Sequence, residues 1–361
     1  MKIEKGIISV SQLTFLIIGL LQAATLTVSF IGGIAKQNIW WICIVASILT
    51  LALLLIYLSI ISKYSDKNII EINDIVYGKY LGKVISINYI IYFTFIVIVN
   101  LRYIADFFST YLFAGTHIVI FILIMAALCA YAVEKGIEVI ARIAPIIAII
   151  GFFIYIVVAA LNIKQMKLSN FLPLFQINLK DFIQSVNIIV SIPFGEIFVF
   201  TMIFNCTNDK SKIKKGAIIG AIIGFVYAFL IIVRNLGVLG ELGSMDIAPS
   251  YQVAKLINIG EVITRVEILI GVILMFVIFL KTSIFYYASV ISLAQLFKLR
   301  EYNIFIIPIG AISSVYALLV NQNQADYSYY ASNIYPIQAL PTLVIIPIVT
   351  LVVMYVRKLP S

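Results

Sequence analysis

The sequence predicts an all-α protein that crosses a membrane many times. Hydrophobic residues occupy 63% of its 361 positions, charged residues only 11%, and the mean hydropathy is +1.12. Soluble globular proteins carry about 25% charged residues, so a soluble fold is excluded. The apolar residues also fall into runs of about 20, the length that a helix needs to span the hydrocarbon core.

Ten such runs follow one another along the chain and divide into five plus five. We therefore predict one transmembrane domain over residues 1–361, with one repeat at about 8–162 and a second at about 182–356. The eighth run is the weakest, because Arg265 and Glu267 lie in its first turns. The runs cover residues 8–33, 39–62, 84–108, 116–134, 139–162, 182–206, 216–239, 261–280, 302–320 and 336–356.

Positive charges are distributed unevenly between the connectors of these spans. The side that holds the N-terminus receives most of them, so the positive-inside rule places both termini in the cytoplasm. The net charge of +9 then reflects membrane orientation rather than nucleic-acid binding. The tyrosine-rich connector 321–335 has no Lys or Arg and falls on the outer side. The basic residues assigned to cytoplasmic connectors are Lys63, Lys67, Lys79, Lys83, Lys135, Arg142, Lys210, Lys212, Lys214, Lys215, Lys281, Lys298, Arg300, Arg357 and Lys358.

The sixth span is interrupted at its middle by Ser191-Ile192-Pro193-Phe194-Gly195-Glu196. Proline removes a backbone donor and clashes with the preceding turn, so the helix should kink or unwind here. A carboxylate at this depth is costly and marks a functional site by default. The alternative is a packing kink whose carboxyl is protonated or bonded to a neighbouring helix.

Transporters with inverted repeats bind substrate between two discontinuous helices at corresponding positions of the two halves. The counterpart in span one is Gly19-Leu20-Leu21-Gln22-Ala23-Ala24-Thr25, although small residues there also suit close helix packing. Backbone donors after the break suit a carboxylate, and Glu196 suits an ammonium group or a proton, so a zwitterionic amino acid fits both. The predicted substrate-binding residues are Gly19, Gln22, Ala23, Ala24, Thr25, Ser191, Pro193, Phe194, Gly195 and Glu196.

Signatures of enzymes, metals and cofactors are missing from the sequence. It has no phosphate-binding loop, nucleophile elbow or paired metal-binding histidines, and its single histidine is His117. We therefore predict no catalytic activity, no cofactor and no metal. Arg102 and Asp106 stand one helical turn apart near the outer end of span three, close enough to pair. We predict an interfacial salt bridge; the alternative is an outer gate.

Four short motifs resemble those of the spore germination GerAB-type permeases, in the amino acid–polyamine–organocation superfamily. They are Ile8-Ser9-Val10-Ser11-Gln12-Leu13, Phe171-Leu172-Pro173-Leu174-Phe175, Pro193-Phe194-Gly195-Glu196 and Arg265-Val266-Glu267. The resemblance implies a LeuT-like fold with discontinuous helices 1 and 6. It also implies the B subunit of a nutrient germinant receptor in the inner membrane of a spore, beside an A subunit with membrane spans and a lipoprotein C subunit.

Two functions remain open at this stage. The first is a receptor subunit that binds a nutrient, such as an amino acid, and signals to its partners by shifting a conformational equilibrium. The second is a proton-coupled amino acid transporter of the same fold, with Glu196 as the titrating carboxylate. Sequence separates them poorly, since one fold hosts many functions.

Overall fold

A computed structural model describes residues 6–26, 32–243, 248–257, 265–321 and 324–357, and these residues are almost entirely helical. An isolated β-bridge joins Ile8 to Thr207, and the described residues form no β-strand. The α-helices are α1 (Val10–Leu26), α2 (Gly32–Ala35), α3 (Ile39–Lys63), α4 (Ile69–Phe107), α5 (Ile118–Glu134), α6 (Ile137–Asn162), α7 (Leu179–Ile189), α8 (Ile213–Gly243), α9 (Pro249–Lys255), α10 (Glu267–Leu296), α11 (Ile306–Leu319), α12 (Gln324–Tyr329), α13 (Tyr335–Leu340) and α14 (Ile346–Val356).

Each of the ten predicted spans overlaps a helical segment of the described residues. Among the described residues, seven segments are long and apolar enough to cross a membrane, and three apolar helices are shorter. The result is consistent with ten spans. The long segments are Gly32–Lys63, Ile69–Leu112, Ile137–Gln165, Leu179–Met202, Lys210–Gly240, Glu267–Leu296 and Asp326–Val356, and the shorter ones are Val10–Ala23, Ile118–Glu134 and Asn303–Leu319.

The third span begins well before its apolar run, in a polar stretch that is helical as well. Asn68 and Glu71 form a reciprocal capping box at the start of α4, with each side chain accepting from the backbone N–H of the other residue. Gly78 then interrupts the helix with φ 80°, a conformation that side chains with a Cβ rarely adopt. The helix therefore consists of a short segment at one membrane face and a long span beyond it.

The first span has no break at Gly19–Thr25, the stretch that corresponds to the break in the sixth span. The stretch Gly19–Thr25 is α-helical as part of Val10–Leu26, and residues 27–31 lie outside the described part. The discontinuity of helix 1 that the resemblance implies therefore does not lie within Gly19–Thr25. The physical reason is composition: the stretch has one glycine and no proline, while Leu, Gln and Ala are strong helix formers.

The sixth span breaks as predicted. The α-helix α7 ends at Ile189, a π-turn covers Val190–Phe194, and a 3-10 helix covers Gly195–Met202. Pro193 has no N–H for a regular helical bond, and the N–H of Gly195 donates to the carbonyl of Val190, five residues earlier. Residues 188–204 are all buried, as expected for an apolar segment that is surrounded by other helices.

The eighth span extends well beyond the predicted apolar run of residues 261–280. The helix α10 runs from Glu267 to Leu296, so Lys281 lies at its middle and is only 2% exposed. The assignment of Lys281 to a cytoplasmic connector is therefore wrong. A lysine ammonium at this depth requires an opposite charge, and the broken sixth span supplies it.

Candidate functional site

The centre of the protein holds a buried ion pair between the sixth and eighth spans. The Lys281 ammonium lies 2.7 Å from Glu196 Oε2, and both side chains are 2% exposed. Glu196 is the second residue of the 3-10 segment, directly after the break, whereas Lys281 comes from the unbroken α10. The pair is neutral as a whole, which lowers the cost of burying each charge.

A narrow cavity reaches this ion pair from the tyrosine-rich segment that the sequence places outside. Its empty space amounts to about 390 Å³, part of which is open to the surroundings. The wall combines the two charged groups with one amide, three tyrosines and several apolar side chains. The lining residues are Phe95, Ile96, Val99, Asn100, Ile192, Glu196, Lys281, Tyr327, Tyr330, Ala331 and Tyr335.

Asn100 is one polar group of this wall that has unused hydrogen-bonding capacity. Its side chain is 3% exposed, and its Nδ2 has no hydrogen-bond partner within the described part of the protein. Buried polar groups are normally satisfied, and each exception needs an explanation such as a ligand or a water. Asn100 and Lys281 therefore provide donors to the cavity, and Glu196 provides an acceptor.

The other predicted residues of the sixth span do not line the cavity but pack around the break in the helix. The Ser191 hydroxyl lies 3.2 Å from Asn187 Oδ1 and 3.4 Å from the Pro336 carbonyl oxygen. The ring of Phe194 packs on Phe225 of α8, with 4.6 Å between centroids. Pro193 is buried at the turn itself. Gly195 packs so closely on the Val190 carbonyl and Leu343 that a side chain would not fit.

The predicted residues of span one lie apart from the cavity wall. Gly19 packs against Leu280 of α10, and Ala23 is fully buried. The Gln22 amide donates to the carbonyl of Ala148 on α6, at 3.1 Å. Ala24 and Thr25 belong to α1, but their side chains lie outside the described residues. The described side chains of span one thus join α1 to its neighbours rather than facing Glu196.

Lys281, Asn100 and the tyrosines were not among the predicted site residues. The sequence does contain a signal for a buried Lys281. Residues 282–296 carry no charge and continue the apolar run, so the lysine lies at the middle of a longer span. For Asn100 and Tyr335 no local signal separates a cavity residue from an ordinary polar residue of a packed helix.

Arg102 and Asp106 form an ion pair near the C-terminal end of α4. Arg102 Nε lies 2.8 Å from Asp106 Oδ2, and Arg102 Nη1 donates to the carbonyls of Ala317 and Leu318, both at 3.2 Å. These carbonyls belong to the last turn of α11, where helical carbonyls lack intrahelical partners. The guanidinium therefore ties the end of α11 to α4.

We predict that Arg102→Met lowers the unfolding temperature of the purified protein more than Asp106→Asn does. The first change removes the ion pair and two hydrogen bonds to carbonyls of α11, whereas the second leaves these carbonyl bonds in place. Thermal unfolding in detergent measures the difference. Equal shifts, together with increased ligand access in both variants, would instead support the outer-gate interpretation.

Comparison with known proteins identifies the family. A family model described as spore germination protein matches residues 7–325. Spore germination protein KB of Bacillus subtilis (strain 168) is 30% identical over 245 residues, which are 65% of this chain and 64% of that protein. Spore germination protein B2 of the same strain is 22% identical over 182 residues, 50% of this chain and 49% of that protein. The matches thus span less than two thirds of each relative.

Solved structures with a similar fold are membrane transporters. Mhp1, a nucleobase-cation-symport-1 family transporter in a closed conformation with bromovinylhydantoin bound, superposes with a TM-score of 0.71 at 11% identity, over 96% of this chain and 78% of Mhp1. A mutant manganese transporter of Eremococcus coleocola gives a TM-score of 0.57 at 12% identity, over 96% of this chain and 81% of that one. At such identities the likeness concerns the fold alone, and that fold is LeuT-like. The family match over residues 7–325 shows that the chain belongs to the spore germination permease family.

Proposed function

We propose that this chain is the nutrient-binding B-type subunit of a spore germinant receptor, and that its ligand is a small zwitterionic amino acid. Family membership supports the germination role, and the fold supports a small-molecule site. The observation that carries the proposal is the Glu196–Lys281 pair at the base of the tyrosine-lined cavity. Neither catalysis nor a cofactor is part of this role.

The ion pair provides both charges that a zwitterion needs. An amino acid entering the cavity places its carboxylate near the Lys281 ammonium and its own ammonium near the Glu196 carboxylate. One buried ion pair is thereby exchanged for two, without leaving any charge unpaired. A ligand with a single charge cannot make this exchange, because one of the two protein charges would lose its partner.

The remaining cavity wall favours the same class of ligand. Asn100 Nδ2, which has no partner among the described residues, supplies a further donor for the ligand carboxylate. The rings of Tyr327, Tyr330 and Tyr335 offer aromatic faces to an ammonium group and apolar area to a ligand side chain.

Signalling follows if the ligand binds one conformation of the subunit better than another. The cavity lies between the broken sixth span and the helices α4, α10 and α13, so a ligand there affects how these elements pack. In the proposed complex an A subunit with membrane spans and a lipoprotein C subunit respond to that change. The complex lies in the inner membrane of the spore, with both termini of this chain in the cytoplasm.

Binding of ligand analogues to the purified chain tests the proposed ligand class. For an amino acid that binds, we expect analogues without the amino group or without the carboxylate to have about 10- to 100-fold lower affinity. Each analogue leaves one charged group of the Glu196–Lys281 pair unsatisfied. Isothermal titration calorimetry measures the dissociation constants. Equal affinity for the amino acid and both analogues would contradict the proposal.

The alternative function is a proton-coupled amino acid transporter, which the titratable pair at the cavity base favours. Uptake of radiolabelled amino acid into proteoliposomes distinguishes the two. Saturable uptake driven by a pH gradient would contradict a pure sensor. Normal germination of spores that lack this chain, with every nutrient tried, would contradict the receptor.

A further inference from the structure

A second cavity adjoins the one that contains the Glu196–Lys281 pair, which we call the nutrient cavity. The second cavity lies between α4 and the last span and contains about 490 Å³ of empty space, part of it open to the surroundings. Three aromatic residues, Phe95, Tyr330 and Tyr335, line both cavities. These rings therefore lie between the two spaces.

The three rings contact one another. Phe95 of α4 stacks on Tyr335 of the last span, with 5.6 Å between centroids and 20° between ring planes. Its centroid lies 6.0 Å from that of Tyr330, and the two tyrosine centroids are 6.4 Å apart. Aromatic pairs at such distances attract each other beyond the effect of burial alone. The rings thus form a packed partition, defined by Phe95, Tyr330 and Tyr335, that separates the two cavities.

Within this partition, Phe95 is held by ring contacts, whereas the tyrosines have further roles. The Tyr330 hydroxyl donates to Gln338 Oε1 at 2.5 Å. Tyr335 is 6% exposed and begins the short helix α13. Phe95 is half-buried and has no polar atom in its side chain, so its replacement leaves no hydrogen-bonding group unpaired. Phe95 is therefore the partition residue that can be changed at the smallest cost to the fold.

An amino acid in the nutrient cavity directs its side chain toward the apolar part of the wall. Its ammonium and carboxylate groups lie at Glu196 and Lys281 in the proposed binding mode, so the side chain must bury its apolar surface elsewhere. The aliphatic and phenylalanine side chains of the wall, besides Ala331, are Phe95, Ile96, Val99 and Ile192. Of these, Phe95 also lines the second cavity. The Phe95 ring is thus the point at which a longer side chain meets the partition.

We infer that the Phe95 ring sets the length of the ligand side chain that the nutrient cavity accepts. A short chain ends at the ring, whereas a longer chain would have to enter space that the ring occupies. Without the ring, the chain can extend into the second cavity, whose empty space is otherwise separated from the ligand. This role rests on the proposed amino acid site and makes Phe95 the residue that determines side-chain length in that site.

Unbranched α-amino acids that differ by single methylene groups test this role. The series is alanine, 2-aminobutyrate, norvaline and norleucine, and calorimetric titration gives the dissociation constant of each with wild type and with Phe95→Ala. A buried methylene contributes about fourfold in affinity. We therefore expect Phe95→Ala to raise the affinity for norleucine relative to that for alanine at least tenfold, whereas the wild-type affinity falls beyond a shorter optimum length.

Phe121→Ala is the matched control. Phe121 is also half-buried and contacts two aromatic rings, those of Phe108 at 5.5 Å and Phe113 at 5.9 Å, but it lines neither cavity. The same truncation should change the norleucine-to-alanine affinity ratio less than twofold. An equal change in both variants would overturn the inference, because it would reflect a general loosening of the protein.

Two further variants show whether the second cavity is the space that the ligand gains. Adding Ala339→Leu to Phe95→Ala places a larger side chain in the wall of the second cavity and should return the affinity ratio to within about threefold of wild type. Phe95→Leu keeps an apolar side chain at the partition, so it replaces Phe95→Ala if that variant does not fold, and it should raise the ratio about threefold.

The outcomes for Phe95 and for the proposed function are distinguishable. If wild type binds members of the series and both Phe95 variants leave the affinity ratio unchanged, the role of Phe95 is overturned while the amino acid site stands. If wild type binds no amino acid, the site itself is contradicted, and the role of Phe95 with it.

Discussion

Replacement of Glu196 alone by methionine is expected to destabilise the protein by about 3–5 kcal/mol, because it leaves the Lys281 ammonium buried without an opposite charge. Lys281→Met should have a similar effect for the converse reason. The double variant Glu196→Met with Lys281→Met should recover most of the loss, since it replaces a buried pair by apolar side chains of similar volume. Thermal unfolding of the purified proteins measures all three.

The double variant also separates structure from function. If the pair only stabilises the packing of α10 against the sixth span, the double variant folds and still responds to nutrients. If the pair binds the ligand, the double variant folds but loses response, because neither charge of the zwitterion finds a partner. Single variants cannot make this distinction, since loss of folded protein and loss of response would coincide.

Gly195→Ala is expected to reduce amino acid binding at least tenfold and to destabilise the protein by about 1–3 kcal/mol. A Cβ at this position would collide with the Val190 carbonyl and lie 2.9 Å from Leu343 Cδ1, so the π-turn or the 3-10 segment must move. Glu196 is the next residue and would move away from Lys281.

Gly33→Ala is the matched control for this substitution. No heavy atom lies within 4 Å of a Cβ built on Gly33, so the same added methyl group should change stability by less than about 0.5 kcal/mol and leave binding unchanged. Calorimetric binding and thermal unfolding compare the two variants. Wild-type values for Gly195→Ala would contradict the close packing that we assign to the break.

The features that the sequence predicts correctly are those with a local physical cause. Membrane insertion follows from composition and run length, and the break in the sixth span follows from Pro193 and Gly195. Glu196 was identified for the same reason, as a charge inside an apolar run. Symmetry between the two repeats predicts a corresponding break in span one, yet the strong helix formers around Gln22 keep Gly19–Thr25 helical.

The features that the sequence misses depend on contacts between distant segments. Lys281 was assigned to a connector because a charge commonly ends a span, and its partner Glu196 lies on a different helix. The cavity needs Asn100 from α4 and Tyr335 from the last span on the same side of the pair. Helical periodicity alone does not determine which faces of α4 and α10 meet. The proposed site therefore lies around spans three, six and eight, whereas the sequence predicts one between spans one and six.

The proposed role of the ion pair is tested by equilibrium binding of a panel of amino acids to the wild-type chain and to the Glu196→Met, Lys281→Met double variant. We expect saturable binding of at least one zwitterionic amino acid to the wild type and no measurable binding to the folded double variant. Equal affinity of the two proteins for the same amino acid would contradict it.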